Sequence, residues 1–409
     1  MNNDIYTLPN QIRVVRINCQ ADVSCCGFAI AAGSRDEEEK EQGLAHFTEH
    51  LLFKGTHKRK AFHVINRLNA VGGELNASTG KEETFVYGLF LKNDFERALE
   101  LLCDMLFHST FPQREVEKER EVVLDEINSY EDSPSELIFD DFERCLFEHH
   151  PFGRNILGAP ECLRAFGSSD LKAFARRCYT TDRLVFFSLS SLENTKTDAL
   201  VQKYLAQIPD NSADSVLNSR SSPRPVKAFK KHFSRNTHQA HVLYGNTAYT
   251  MFDEKRYALF LLNNLLGGPG MNSRLNTLLR EHSGLVYTVE SGLSFYTDTG
   301  LCSIYFGSDP KNTDRCLSLI DKELKQLREQ PLSSSKLHYA KKQLFGQLSI
   351  ASENKESRAL NMGKSLLYYN KYQSLDDFMA KIEAVDAVQL CEVASEVFNP
   401  SEMSLLVYS

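Results

Sequence analysis

The residues best suited to chemistry lie in the stretch GLAHFTEHLLFKGT, where His46, Glu49 and His50 stand close together. Their neighbours Leu44, Ala45, Leu51, Leu52 and Phe53 suit a largely buried helix. At about 100° per residue, His46 and His50 fall roughly 40° apart, one turn along the same face. Two imidazoles need that placement to share one tetrahedral ion with bonds of about 2.0 Å. Glu49 falls about 60° to the other side of His46, facing the same pocket without competing easily as a ligand. A carboxylate there can take a proton from a water whose acidity a metal ion has raised.

Two histidines leave such a site one protein ligand short. The acidic stretch FPQREVEKEREVVLDEINSYEDSP supplies candidates. Pro112 and Gln113 can open a helix, and Val116, Val122, Val123 and Ile127 can anchor it. Glu119 and Glu126 are seven residues apart, which places them within about 20° of one face. Asp125 is turned about 100° from Glu126 and is the weakest of the three. The pattern alone leaves Glu119, Glu126 and Asp125 open as the third ligand. Two other stretches invite chemistry and do not carry it. Gly267-Gly268-Pro269-Gly270 lacks the Gly-Lys-Ser/Thr ending of a phosphate loop and reads as a helix-terminating turn. His149 and His150 are adjacent, so their side chains diverge on any regular element.

These residues need a scaffold, and 409 residues are too many for one ordinary core. Asp210 to Val226, DNSADSVLNSRSSPRPV, is poor in large apolar residues and reads as a linker. The resulting division is a domain at 1–210, a linker at 211–228 and a domain at 229–409. Both halves share a grammar of strand-like segments, a charged loop and a helix, then a strand-like segment before a long charged helix. The expectation is an α+β protein with two homologous domains from an internal duplication, each a mainly antiparallel sheet packed with helices. The second half places RYALFLLNNLL where the first has its histidines, so it lacks the metal-binding residue types at the matching places.

Composition narrows the class. Hydrophobic residues at 42% and charged residues at 25% describe a soluble globular chain. A net charge of -7 with no dominant basic stretch argues against nucleic acid as a partner. No apolar run approaches the roughly 20 residues of a membrane span, and Met1 to Asn10 has no secretory layout. Ten cysteines without a C-x-x-C suggest free thiols in a reducing, cytoplasmic setting.

His46-x-x-Glu49-His50 has the inverzincin spacing. Together with Glu126 it resembles the pitrilysin (M16) family of zinc metallopeptidases, in its short single-half branch with the mitochondrial processing peptidase subunits. The likeness extends to FAIAAGSRDE, GGELNASTGKEETFVYG, EREVVLDEI, HPFGRNILG and LLGGPGMNSRLNTLLREHSGLVYTV. It implies a zinc endopeptidase with one ion per chain held by His46, His50 and Glu126. Glu49 would be the general base and Glu119 a supporting acid near the site. Asn76 and Ala77 would belong to an edge strand to which substrate backbone adds, and Arg280 and Tyr287 would steady the oxyanion. Because the family's long members supply that Arg and Tyr from a fourth domain, the resemblance also implies a homodimer giving Arg280 and Tyr287 in trans. The alternative is a non-catalytic scaffold of the same fold.

Overall fold

The computed structural model describes residues 3–212, 220–224, 227–235 and 237–409. Of the linker expected at 211–228, residues 213–219 and 225–226 lie outside the described residues. In chain order the first elements are β1 (Asn3–Thr7), β2 (Arg13–Asn18), β3 (Val23–Ile30), α1 (Leu44–Leu52) and α2 (Ala61–Asn69). There follow β4 (Glu74–Thr79), β5 (Thr84–Leu91), α3 (Phe95–His108), α4 (Gln113–Glu131) and α5 (Pro134–Leu146). Next come α6 (Pro160–Ala165), α7 (Ser168–Cys178), β6 (Leu184–Ser190) and α8 (Asn194–Tyr204). The second half runs β7 (Lys230–Phe233), β8 (Ala240–Ala248), α9 (Lys255–Gly267), β9 (Val286–Phe295), β10 (Gly300–Ser308) and α10 (Thr313–Glu329). It ends with α11 (Ser334–Ala351), α12 (Lys355–Tyr369), α13 (Leu375–Glu383), α14 (Ala387–Val397) and β11 (Ser404–Tyr408).

Each half builds one sheet. The first has strand order β1-β2-β6-β3-β5-β4 and the second β7-β11-β8-β10-β9. Setting β1 aside, the orders correspond strand for strand. β2 runs parallel to β6 as β7 does to β11, and the other neighbours are antiparallel in both. This is the α+β architecture with two like domains expected from the repeated grammar.

The compact units are nevertheless not the two sequence halves. One unit comprises Met1–Asn128, Arg154–Ser221 and Ala351–Gln373; the other comprises Ser129–Gly153, Ser222–Ile350 and Ser374–Ser409. A cut at 211–228 therefore misassigns two helices. α12 covers the outer face of the first sheet, packing Ala359, Met362 and Leu366 against Val15, Phe85 and Phe187. α5 does the same for the second, with Ile138, Phe142 and Leu146 against Leu243, Tyr305 and Leu406. The opposite face of the first sheet carries the larger core, in which Leu44, Phe47 and Leu51 of α1 meet Phe28, Val86 and Leu102. Strands buried on both faces explain the nearly continuous apolar runs of β3, β5, β6 and β10. No helix among the described residues is long and apolar enough to cross a membrane.

Candidate metal centre and active site

α1 is buried at every position but His50. Its first turn is closed from outside, because the Glu37 carboxylate accepts the Gly43 and Ala45 backbone N–H groups at 3.1 and 2.8 Å. That satisfies donors a helix start leaves unpaired. Gly43 has φ 94°, and a Cβ there would lie 2.7 Å from the Leu157 carbonyl, so the tight entry to α1 requires glycine. The histidine-bearing helix is thus fixed in place at the point where it begins.

His46 Nε2 and His50 Nε2 face each other at 3.2 Å. Two nitrogens bound to one tetrahedral ion at about 2.0 Å stand roughly 3.3 Å apart, so the imidazoles already have the spacing a shared zinc requires. His50 Nε2 lies 3.7 Å from Glu126 Oε2. One ligand atom from each of these three residues falls within 4.8 Å of the others. No other group of three or more potential ligands forms among the described residues. Two imidazoles and a carboxylate form a donor set that could hold a zinc ion.

α4 presents the acids as its pattern suggests, with one difference. Val116, Glu119, Val123 and Ile127 form the buried stripe, whereas Val122, expected to anchor the helix, is 51% exposed. Glu119 has both oxygens engaged: Oε1 lies 3.0 Å from His50 Nδ1 and Oε2 lies 2.6 Å from Lys54 Nζ. It therefore sits behind the imidazole, on the side away from Nε2, and orients the ring. Glu126 lies on the Nε2 side with its side chain 44% exposed. Tertiary geometry separates two glutamates that helical periodicity could not. Asp125 does not join the cluster.

Glu49 is only 9% exposed, and its Oε2 accepts a hydrogen bond from Thr79 Oγ1 at 2.5 Å. Thr79 ends β4, the outermost strand of its sheet, in which Asn76 pairs with Tyr87 and Ala77 with Val86 of β5. Among the described residues, the other edge of β4 has no strand partner. Arg280 lies in a π-helical turn, Asn276–Glu281, and Tyr287 near the start of β9, the edge strand of the other sheet. Both belong to the second unit and both are exposed, Tyr287 at 71%. Thr79, Lys54 and Glu37 were not picked out from the sequence. Lys54 follows His50 by four positions and Thr79 shares a strand face with Ala77, so each left a faint periodic signal. Glu37 left none.

Two sequence profiles account for most of the chain. Residues 13–160 match the family described as insulinase, peptidase family M16, and residues 166–344 match the peptidase M16 inactive domain. The uncharacterized zinc protease YmxG of Bacillus subtilis is 32% identical, over 96% of this chain and 95% of its own. An uncharacterized zinc protease of Streptomyces coelicolor is 34% identical, over 96% of this chain and 86% of its own. The chain belongs to peptidase family M16. A protease from Helicobacter pylori shares the M16 fold with a TM-score of 0.91 at 21% identity, covering 100% of this chain and 99% of that one. The first M16 segment holds His46, Glu49, His50, Asn76, Ala77, Glu119 and Glu126, whereas Arg280 and Tyr287 fall in the second.

The surroundings of the M16 site act differently on its two histidines. Burial, followed by the neighbouring His50, pushes the His46 imidazole down to about 3, so it stays neutral with a lone pair to give. Burial also acts against protonated His50, but Glu119, Glu49 and Glu126 outweigh it and hold its pKa above the ordinary histidine range. Glu119 is the converse case: burial opposes its charge, and His50 and Lys54 hold it below the usual carboxylate range. Burial raises Glu49, partly offset by the Thr79 hydroxyl.

Proposed function

We propose that this M16 chain is a zinc-dependent endopeptidase acting on extended peptides and unfolded polypeptides. The observation that carries the reading is the convergence of His46, His50 and Glu126 beside a buried Glu49 that contacts the end of an open-edged strand. His46, His50 and Glu126 would hold the ion. When bound, zinc supplies Lewis acidity, bringing the pKa of a water toward about 7 and polarising a carbonyl. Glu49 accepts the proton of the attacking water and later delivers it to the leaving amine. The free edge of β4, around Asn76 and Ala77, offers main-chain hydrogen bonds to a substrate strand, which recognises extended backbone rather than particular side chains. A non-catalytic scaffold of this fold would not need the metal ligands and the base together, and this chain retains them all.

Arg280 and Tyr287 complete the reading as oxyanion-stabilising groups given by a second copy of the chain in a twofold dimer. Their exposure supports this, since each is free to meet a partner. The test of the main reading is metal content together with turnover of an unstructured peptide. Wild type should bind one zinc per chain and cleave the peptide, and Glu49→Gln should keep the zinc and lose nearly all turnover. Full zinc in His50→Ala or Glu126→Ala would remove the basis of the assignment.

A further inference from the structure

We propose that Thr79 is the positioning residue of Glu49, fixing which carboxylate oxygen receives the proton and tying the base to the edge strand β4. The inference deepens the peptidase reading and rests on it. Thr79 Oγ1 donates to Glu49 Oε2 at 2.5 Å, the short separation of a charge-assisted hydrogen bond. Among the described residues, no hydrogen bond is made to Glu49 Oε1. With Oε2 engaged, Oε1 is the oxygen left to take the proton.

A single contact would mean little if the hydroxyl could wander, and its surroundings prevent that. Thr79 is the last residue of β4, in register with Thr84, and the turn beyond it is closed by Gly80 N–H donating to the Glu83 carbonyl at 2.7 Å. The turn is itself held from outside. The Ser34 and Arg35 N–H groups donate to the Gly80 and Lys81 carbonyls at 3.1 and 2.8 Å. Lys81 Nζ donates to the Arg154 carbonyl at 2.6 Å. The fully buried Glu82 carboxylate pairs with Arg35 at 2.6 Å and Arg220 at 3.4 Å. Being β-branched, threonine has few χ1 wells, so a fixed backbone fixes its hydroxyl.

The segment that grips this turn also grips the helix of the base. Gly33 to Glu37 supplies the Ser34 and Arg35 amides to the hairpin, and its last residue closes the start of α1 through the Glu37 carboxylate. One five-residue bracket thus holds both the strand that carries the donor and the helix that carries the acceptor. Glutamate has three side-chain torsions to restrain, and this arrangement restrains its end. A substrate strand added to β4 would bind the element that orients the base.

The experiment compares Thr79→Val, which keeps the shape and removes the donor, with Thr79→Ser, which keeps the donor, and with Glu49→Gln. On an unstructured peptide, Thr79→Val should lower kcat about 10- to 100-fold, the loss expected for one hydrogen bond to a charged group. KM, zinc per chain and Tm should stay near wild type, and Thr79→Ser should recover most of kcat. A readout independent of turnover is the crystal structure of zinc-free Thr79→Val, where the Glu49 carboxylate should leave its place beside β4. If Thr79→Val matches wild type in kcat while Glu49→Gln is dead, the positioning role is wrong and the peptidase reading stands. The role is equally wrong if Thr79→Ser restores nothing, or if the Glu49 carboxylate stays put in Thr79→Val. If Glu49→Gln retains full turnover, both the peptidase reading and this inference fall.

Discussion

Glu119→Gln asks whether the carboxylate behind His50 contributes to metal affinity, and the structure sets how much. Glu119 Oε1 stands 3.0 Å from His50 Nδ1, and Oε2 stands 2.6 Å from Lys54 Nζ. Both neighbours are donors. Lysine has no acceptor, and an imidazole whose Nε2 faces the metal position carries its proton on Nδ1. A carboxylate serves both, but an amide has one oxygen. Turned one way, its NH2 opposes the Lys54 ammonium; turned the other, it opposes the His50 Nδ1–H. One hydrogen bond to a charged group, about 1.5–3 kcal/mol, cannot be made in full. The Lys54 ammonium, a full charge 2.6 Å from this side chain, competes better for the single oxygen than a neutral Nδ1–H does, so the loss falls mainly on His50. At about 1.36 kcal/mol per tenfold, zinc should bind roughly 10- to 100-fold more weakly. Competition against a chromophoric chelator near neutral pH measures this directly. An unchanged Kd would refute the argument. Lys54→Met in the Glu119→Gln background should recover part of the affinity, because the amide oxygen is then free to face His50.

Acid should weaken zinc binding through one histidine rather than two. The His46 pKa is down at about 3, whereas that of His50 is held up by its carboxylate neighbours against the effect of burial. Affinity should therefore rise with pH until His50 has lost its proton and fall about tenfold per pH unit below that point. A slope of two protons in chelator competition across pH would contradict it. For the dimer, subunit exchange between inactive Glu49→Gln and Arg280→Ala should return about half of wild-type activity per mixed dimer, if each site takes its arginine from the partner. No recovery after exchange confirmed by mass would mean that Arg280 serves its own chain or none.

Much of this protein can be read from its residues in order, and the rest only from their meeting in space. His46, Glu49 and His50 lie within one helical turn, where local periodicity alone dictates which side chains share a face. The duplicated α+β plan is likewise local in origin, because strand-like and helix-like patterns repeat along the chain. Choosing Glu126 over Glu119 was beyond periodicity, since both lie on nearly the same face of α4. The resemblance to M16 peptidases pointed to Glu126, and the physical reason emerges only when Lys54 and His50 Nδ1 claim the oxygens of Glu119. α5 and α12 each bury an apolar stripe, but an apolar stripe names no partner, so their exchange between units had no trace in the sequence. Thr79 is thirty residues from Glu49, and its hydrogen bond exists because a bracket at Gly33 to Glu37 holds a hairpin against a helix. Sequence determines what each segment can be, because propensity and periodicity act over a few residues; tertiary structure decides which groups meet, because contact across long separations depends on how the whole chain closes.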